Sequence, residues 1–171
     1  MNINISKVSK DQEAAFWALL DKYSNFTDIE YYEQCFERQA LGDFDLYAVS
    51  FRDVGFVGHC ILNWSPRYGL FKKLGVPEVQ DLNVIPEFRK RGIGRKLVEY
   101  CEDRAAERGY DVMGIGVGLD QSFGAAQRLY IKMGYVPDGF GVTYDRKPVG
   151  VGDFKPIDEN LSLMMMKSLG N

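Results

Sequence analysis

The apolar and polar positions at the start of the chain predict a strand followed by two helices. Residues 2–8 alternate imperfectly between the two classes, which indicates a short strand. Ser9 begins a capping pattern, and the one-face spacing of apolar residues behind it predicts a helix over residues 10–23. The run Thr27–Glu30 repeats the capping pattern and predicts a second helix, which ends at Gly42.

Strand signals dominate the middle of the chain. Residues 43–51 and 55–64 are rich in aromatic and β-branched residues and are separated by the short segment 52–54, which predicts an antiparallel hairpin. Residues 65–75 are predicted to form a loop. The other predicted elements are a strand over 78–85 that stops at Pro86, a helix from the following glycine segment to Gly109, a strand over 112–119, a helix that begins at Asp120 or Ser122 and ends at Gly134, and strands over 140–144 and 161–167.

Length and composition fit one globular domain. The chain has 171 residues, of which 46% are hydrophobic and 26% are charged, so we expect a single domain over residues 1–171 with a substantial core. The opening segment has no basic head followed by an apolar run, and no window approaches about 18 uninterrupted apolar residues. We therefore expect a protein without a membrane span.

The cysteine and histidine content argues against a disulfide framework, a metal site and imidazole catalysis. Cys35, Cys60 and Cys101 form an odd set without C-x-x-C spacing, which favours a reducing, cytoplasmic location and no zinc. His59 is the single histidine of the chain and lies in an apolar run, where a packed side chain is the more common outcome. Catalysis by an imidazole is therefore not expected.

The charge distribution along the chain is uneven. The chain carries 21 Lys and Arg residues against 24 Asp and Glu residues, a formal net charge of −3, which disfavours general binding of nucleic acid. Five of the cations lie between positions 89 and 96 and surround Gly92 and Gly94, where a strand ends and a helix begins. Backbone N–H groups, a helix dipole and basic side chains converge at such a point, which predicts a site for phosphate or pyrophosphate.

Two common phosphate motifs do not fit this segment. A Walker loop requires G-x-x-x-x-G-K-[ST], but Leu97 follows Lys96 and supplies no hydroxyl for magnesium. A dinucleotide fingerprint requires G-x-G-x-x-G, and Leu97 stands where the third glycine belongs.

A family resemblance does fit. The segment Arg89-Lys90-Arg91-Gly92-Ile93-Gly94 is preceded by LNVIP and followed by AAQRLYIKMGY, and it resembles the conserved motifs of the GNAT superfamily of acyl-CoA-dependent N-acetyltransferases. The resemblance covers Glu78 to Pro137, which would form the cofactor core. It implies an α/β (α+β) fold whose central sheet is mixed, mostly antiparallel and twisted. This sheet would have about six or seven strands flanked by about four helices.

The resemblance implies that acetyl-CoA is the cofactor and that no metal is needed. The strand backbone at 82–84 would pair with the pantetheine arm, and the basic glycine segment would hold the pyrophosphate. Phe123 stands where the family often has asparagine, so a polar contact to the cofactor would be lost there or replaced by packing. The implied cofactor-binding residues are Leu82, Asn83, Val84, Arg89, Lys90, Arg91, Gly92, Ile93, Gly94, Arg95, Lys96, Phe123 and Ala126.

Three residues are candidates for proton transfer. The resemblance implies that Tyr130 protonates the departing thiolate, which a phenol can do because its pKa of about 10 is near that of a thiol. Glu78 and Asp81 are the candidate proton acceptors, and regular alternation puts them on opposite faces of the strand unless a bulge intervenes. Glu78 shares its face with Leu82 and is the first choice, whereas Asp81 could equally anchor a neighbouring loop.

The favoured function is transfer of an acetyl group from acetyl-CoA to a primary amine by direct attack. The acceptor would be a small-molecule or peptide amine, and the chain would be a monomer or a homodimer that binds no nucleic acid. Residues 26–37 mix aromatic and acidic side chains and could form a wall for a cationic amine. The alternative is a non-catalytic acyl-CoA-binding module of the same fold, acting as a sensor or in an interaction.

Overall fold

A computed structural model of the chain describes residues 3–23, 28–51 and 54–170. Parts of the predicted pattern lie outside the described residues, namely Asn2, Phe26, Thr27, Arg52 and Asp53. The chain divides into two compact units, of which the first comprises residues 1–64 and 79–103 and the second comprises residues 65–78 and 104–171. Each helix in the described ranges is too short or too polar to cross a bilayer.

The first unit combines four strands with three helices. Its elements are β1 (Ile3–Lys7), α1 (Glu13–Leu20), α2 (Ile29–Leu41), β2 (Phe44–Phe51), β3 (Phe56–Asn63), most of β4 (Glu78–Val84) and most of α4 (Ile93–Glu107). The strands follow the order β1-β2-β3-β4, and β2 pairs antiparallel with both β1 and β3. The predicted hairpin is therefore confirmed.

The helix ends of the first unit follow the predicted caps. The Asp28 carboxylate accepts the backbone N–H of Tyr31 at the start of α2, and Gly42 ends that helix with a φ of +83°, a backbone conformation that favours glycine. The first predicted helix starts later than expected, because Lys10–Gln12 form a 3-10 turn before α1.

Helices cover both faces of β3. The imidazole of His59 meets the ring of Phe16 on α1, with 5.2 Å between ring centroids. The neighbouring Cys60 lies with its Sγ 3.5 Å from the Sγ of Cys101 on α4, and both cysteines are free thiols. Because consecutive strand residues point to opposite faces, α1 and α4 pack on opposite sides of this strand.

The second unit is built on four antiparallel strands. Its elements are α3 (Gly69–Leu74), β5 (Val112–Gly118), α5 (Gly124–Lys132), β6 (Val136–Tyr144), β7 (Lys147–Pro148) and β8 (Leu161–Ser168). The strand order is β5-β8-β6-β7, and β8 pairs antiparallel with both β5 and β6. The described residues of the chain thus contain eight strands and five helices, slightly more than the six or seven strands and four helices expected.

The prediction of a loop over residues 65–75 is wrong in part, because α3 lies within it. Tyr68 and Phe71 are buried there together with Val76 and Met164, and this apolar contact stabilises a helix that is too short to show a clear period in the sequence. Gly75 ends the helix with a φ of +66°.

Candidate functional site

The predicted phosphate site lies at the junction of β4 and α4 in the first unit. The strand gives way to a 3-10 turn at Pro86–Phe88, and Gly92 has a φ of +81° immediately before the helix. The backbone N–H of Lys96 donates to the carbonyl of Gly92 at 3.1 Å. The N–H groups of residues 93–95 lie in the first turn of the helix, where no preceding helical carbonyl is available to accept a hydrogen bond from them. The junction therefore presents backbone donors at the positive end of a helix dipole.

The basic side chains of this junction are accessible to solvent, although several already have partners. Arg89 donates from Nε to the carbonyl of Val84 at 2.9 Å, and Arg91 lies over the ring of Phe88. Arg95 forms an exposed ion pair with Glu99 at 3.5 Å. Lys90, Gly92 and Lys96 are exposed, Gly94 is partly buried, and Ile93 is buried, so Ile93 can offer only its backbone to a ligand.

The backbone of β4 departs from a regular strand at Asp81. This residue has a φ of +51°, in the left-handed region that aspartate tolerates better than most residues. The alternation that would place Glu78 and Leu82 on one face is interrupted there. The Asn83 amide donates to the Asp81 carboxylate, with 2.8 Å between Nδ2 and Oδ1. Leu82, Asn83 and Val84 are all partly buried.

Gly58 on β3 accommodates this irregular part of β4. A Cβ at position 58 would lie 2.8 Å from the backbone oxygen of Asn83, closer than real Cβ atoms approach a backbone atom. Glycine at this position therefore lets β3 and β4 come close together next to Asp81.

Asp81 belongs to a hydrogen-bonded cluster with Tyr23, Tyr32 and His59, here called the His59 cluster. Tyr32 lies in the predicted wall of residues 26–37, whereas Tyr23 and His59 were not predicted as site residues. His59 Nε2 lies 3.2 Å from Oδ2 of Asp81, and the hydroxyl of Tyr32 donates to the same oxygen. The Tyr32 hydroxyl is 3.0 Å from His59 Nε2, and the Tyr23 hydroxyl is 3.1 Å from His59 Nδ1. The expectation that His59 is a packed residue is correct as far as burial goes, but its ring nitrogens also join three polar side chains.

Burial and hydrogen bonding act in opposite directions on Asp81. Burial alone would raise the pKa of this carboxyl group, but the hydrogen bond and charge of His59, followed by the hydrogen bonds of Tyr32 and Asn83, hold it below its usual range. Burial, and then the Asp81 charge, raise the pKa values of the Tyr23 and Tyr32 hydroxyls. At neutral pH the cluster therefore contains an ionised carboxylate and two protonated phenols.

Glu78, the first-choice proton acceptor, lies in the second unit and has a different environment. Its side chain is fully buried and forms an ion pair with Arg146, whose side chain is 27% exposed. Arg146 itself has a φ of +59° in the turn between β6 and β7. A Cβ at Gly116 would be 3.7 Å from Oε1 of Glu78, so this strand position also borders the carboxylate.

The remaining predicted site residues also lie in the second unit. Tyr130 on α5 is 5% exposed, and its ring centroid is 6.1 Å from that of Tyr135. Ala126 is partly buried on the same helix. The ring of Phe123 packs directly on Gly118, and it can do so because glycine has no side chain in the way.

The alternate glycines of β5 are covered by side chains of the second unit. Phe71 covers Gly114, Met164 lies beside Gly116, and Phe123 covers Gly118. Close internal packing therefore accounts for the lack of side chains at these three positions.

Comparison with known proteins identifies related sequences. The model of the Acetyltransferase (GNAT) family matches residues 12–135. An uncharacterised N-acetyltransferase from Archaeoglobus fulgidus is 43% identical over 65 residues, which are 38% of this chain and 42% of that protein. The chain thus spans less than half the length of that relative. The aminoalkylphosphonate N-acetyltransferase of Salmonella typhimurium is 22% identical over 135 residues, which are 79% of this chain and 85% of that protein.

A solved structure shares the fold. The ribosomal-protein-S18-alanine N-acetyltransferase of Escherichia coli superposes with a TM-score of 0.68 at 15% identity, covering 99% of this chain and 96% of that one. This likeness confirms the predicted α+β fold.

Proposed function

The chain belongs to the GNAT family of acetyltransferases, and from that premise we propose that it transfers the acetyl group of acetyl-CoA to a primary amine. The observation that carries the proposal is the junction of β4 and α4. There a strand end, Gly92 with its positive φ and the first turn of a helix bring backbone N–H groups next to a run of basic side chains. Donors and cations in this arrangement suit the diphosphate of CoA.

The residues present fit such a cofactor. Arg91, Gly92 and Lys96 are exposed, so a dissolved anion can reach the junction. Bound acetyl-CoA would supply an activated thioester, and the backbone of residues 82–84 would bind its pantetheine arm. The exposed basic residues would hold the phosphates without any metal ion, because guanidinium and ammonium groups bind phosphate oxygens directly.

The reaction needs one group that accepts a proton and one that donates a proton. A primary amine is mostly protonated at neutral pH and must lose a proton before its nitrogen can attack a carbonyl carbon. Glu78 and Asp81 are the candidate acceptors. Tyr130 is the candidate donor to the thiolate of CoA, the role that the family resemblance gives it.

The relatives suggest which amines to test. The Salmonella typhimurium relative is named for an aminoalkylphosphonate, and the Escherichia coli protein is named for an alanine of ribosomal protein S18. Both acceptors are primary amines on otherwise unlike molecules. We therefore propose a primary amine as the acceptor class, with a small molecule and a peptide N-terminus as its two forms.

The test is a thiol-release assay with acetyl-CoA across an amine panel. The panel contains 2-aminoethylphosphonate, spermidine, lysine and a peptide with an N-terminal alanine. We expect release of CoA above the rate of hydrolysis with at least one amine, together with the acetylated amine in the mass spectrum. Thermal stabilisation by CoA without turnover of any amine would contradict the proposal and favour the acyl-CoA-binding module.

A further inference from the structure

Three large apolar side chains of the second unit lie exposed within one short segment between β7 and β8. Val151 and Phe154 are fully exposed, and Ile157 is 74% exposed. Single exposed apolar residues are common on protein surfaces, but several of them within one short segment are typical of a surface that another molecule covers. Residues 151–157 are here called the Phe154 arm.

Hydrogen bonds hold the arm in place on both sides of its central residue. Before it, the N–H of Asp153 donates to the carbonyl of Gly150 at 3.1 Å, and the N–H of Gly150 donates to the Asp153 carboxylate at 2.9 Å. After it, the Tyr144 hydroxyl donates to Asp158 at 2.8 Å, and the Lys155 ammonium lies 5.3 Å from the centre of the Tyr144 ring. A segment held in this way loses less conformational entropy on binding than a flexible loop does.

The sequence of the arm is complementary to its own reverse. Outward from Phe154, positions at equal distances carry opposite charges, then a glycine and a proline, then two β-branched apolar side chains. These pairs are Asp153 with Lys155, Gly152 with Pro156, and Val151 with Ile157. Two copies of the arm that cross antiparallel about a two-fold axis would therefore bring unlike charges and apolar side chains together.

We propose that the Phe154 arm is the contact surface of a homodimer, in which the arms of two copies cross antiparallel about a two-fold axis at Phe154. The two Phe154 rings pack on each other there, as aromatic pairs do favourably in edge-to-face or offset geometry. On each side of the rings, Asp153 pairs with the partner's Lys155, and Val151 packs on the partner's Ile157. This inference does not depend on the acetyltransferase reaction.

A second copy suits this surface better than a lipid bilayer does. Residues 151–160 contain one lysine, Lys155, against the three carboxylates of Asp153, Asp158 and Glu159. An anionic lipid surface would repel that charge, and burial of Asp153 beside lipid would leave its carboxylate without a cation. In the antiparallel dimer, the partner's Lys155 supplies the cation.

The size of the arm sets the expected strength of the dimer. A stable interface buries about 800 Å² and roughly 20 to 30 residues on each side. The arm of residues 151–157 is shorter than that. We therefore expect a weak, reversible dimer whose population rises with protein concentration between about 10 μM and about 500 μM, as measured by sedimentation velocity.

Charge exchange tests the proposed pairing. Asp153→Lys and Lys155→Asp each place like charges opposite each other twice in the dimer, so each should raise the dissociation constant about tenfold. The double variant restores opposite charges at both places and should return the constant to within about twofold of the wild type. A double variant as weak as the single variants would overturn the pairing, because damage to the local bond between Asp153 and Gly150 cannot be rescued by the second exchange.

An introduced cysteine tests the position of the two-fold axis. Phe154→Cys brings two thiols to the axis, where they can form a disulfide, so we expect a covalent dimer on a non-reducing gel after mild oxidation. The control is Val136→Cys, at an exposed position on β6 far from the turn to β7, and it should stay monomeric. The native cysteines are buried in each chain. Equal cross-linking of the two variants would contradict the assignment of the axis.

Removal of the aromatic ring tests the contact itself. Phe154→Ser should raise the dissociation constant at least about tenfold, whereas Val136→Ser should leave it unchanged. An unchanged constant in Phe154→Ser would show that the dimer forms through another face. A wild-type chain that stays monomeric at about 500 μM would overturn the proposal, and sedimentation of that monomer with phosphatidylcholine vesicles would assign the arm to a lipid surface instead. Each of these results can be read whether or not the protein acetylates an amine.

Discussion

Glu78 and Asp81 are three residues apart on the same strand, yet their carboxylates lie in opposite kinds of environment. Glu78 is fully buried in the second unit and is neutralised by the guanidinium of Arg146. Asp81, in the first unit, is 22% exposed and is held by an imidazole, a phenol and an amide. The first environment holds a charge away from water, whereas the second leaves a carboxylate within reach of solvent.

The difference shows why a residue type and its position do not by themselves assign a catalytic role. Removing one partner of a buried ion pair leaves an uncompensated charge and destabilises the fold. Glu78 and Arg146 therefore have the features of a structural pair. The His59 cluster instead gathers hydrogen-bonding side chains around the Asp81 carboxylate, which is partly exposed to solvent. We therefore expect changes near Glu78 to lower stability and changes near Asp81 to lower binding and turnover.

The largest expected effect is on stability. Glu78→Gln removes the charge that Arg146 pairs with and should lower the free energy of unfolding by about 3 kcal/mol, because an uncompensated cation is left partly buried. The matched change Asp81→Asn should lower it by about 1 kcal/mol, since neutral hydrogen bonds can re-form. Urea unfolding of both variants measures the difference. Equal losses of unfolding free energy would show that the two carboxylates contribute equally to stability.

Substitutions at two glycines separate loss of stability from loss of turnover in the same way. Gly114→Ala forces a Cβ against the buried ring of Phe71 and should lower the unfolding free energy by about 2 kcal/mol, with kcat/KM of the folded protein unchanged. Gly58→Ala presses on the backbone oxygen of Asn83 next to Asp81, and it should lower kcat/KM about tenfold in addition to a similar loss of stability. Thermal unfolding and thiol release are measured on the same samples. A loss of turnover in Gly114→Ala as large as that in Gly58→Ala would contradict the contrast.

Charge reversal tests the proposed CoA site at the junction of β4 and α4 in the first unit. Lys96→Glu at the start of α4 should weaken the binding of CoA about tenfold, because it places an anion beside the phosphates. Lys73→Glu reverses another exposed charge, on α3 of the second unit, and should leave the dissociation constant unchanged. Isothermal titration calorimetry with CoA gives both values. The account of the β4–α4 junction fails if the two variants bind CoA equally well.

The smallest effect concerns acid stability. The pKa of Asp81 is lower in the folded protein than its ordinary value, so this group stabilises the fold above about pH 4. That contribution is lost as the pH falls through the folded-state pKa. Asp81→Asn should therefore show a shallower fall of unfolding free energy between about pH 4 and pH 2 than the wild type. Identical pH profiles for the two proteins would mean that Asp81 gains nothing from its hydrogen bonds.

Local signals in the sequence were sufficient for most of the helices and strands and for the junction of β4 and α4. The Asp28 cap, the Gly42 stop and the hairpin of residues 43–64 are encoded within a few positions, and the structure confirms each of them. The junction of β4 and α4 was predictable for the same reason, because its strand end, glycines and basic residues are consecutive. The short helix α3 was missed because its stability comes from buried contacts with Val76 and Met164 rather than from its own pattern.

The His59 cluster could not be predicted, because its members come from four separate elements. Nothing close to His59 in the sequence distinguishes it from a packed histidine, and its partners Tyr23 and Tyr32 precede it by 36 and 27 positions. The ion pair of Glu78 with Arg146 joins residues 68 positions apart and was hidden in the same way. The positive φ of Asp81 also escaped prediction, since aspartate occurs in ordinary strands as well.

The most direct measurement compares kcat/KM of Asp81→Asn and Glu78→Gln side by side, with acetyl-CoA and ethylamine at pH 7, corrected for the folded fraction of each variant. We predict that both proteins bind CoA and that Asp81→Asn is at least about tenfold slower than Glu78→Gln, because an amine from solvent can reach the partly exposed Asp81 carboxylate but not the buried Glu78. A slower Glu78→Gln would contradict the account and would return the proton-accepting role to the buried carboxylate.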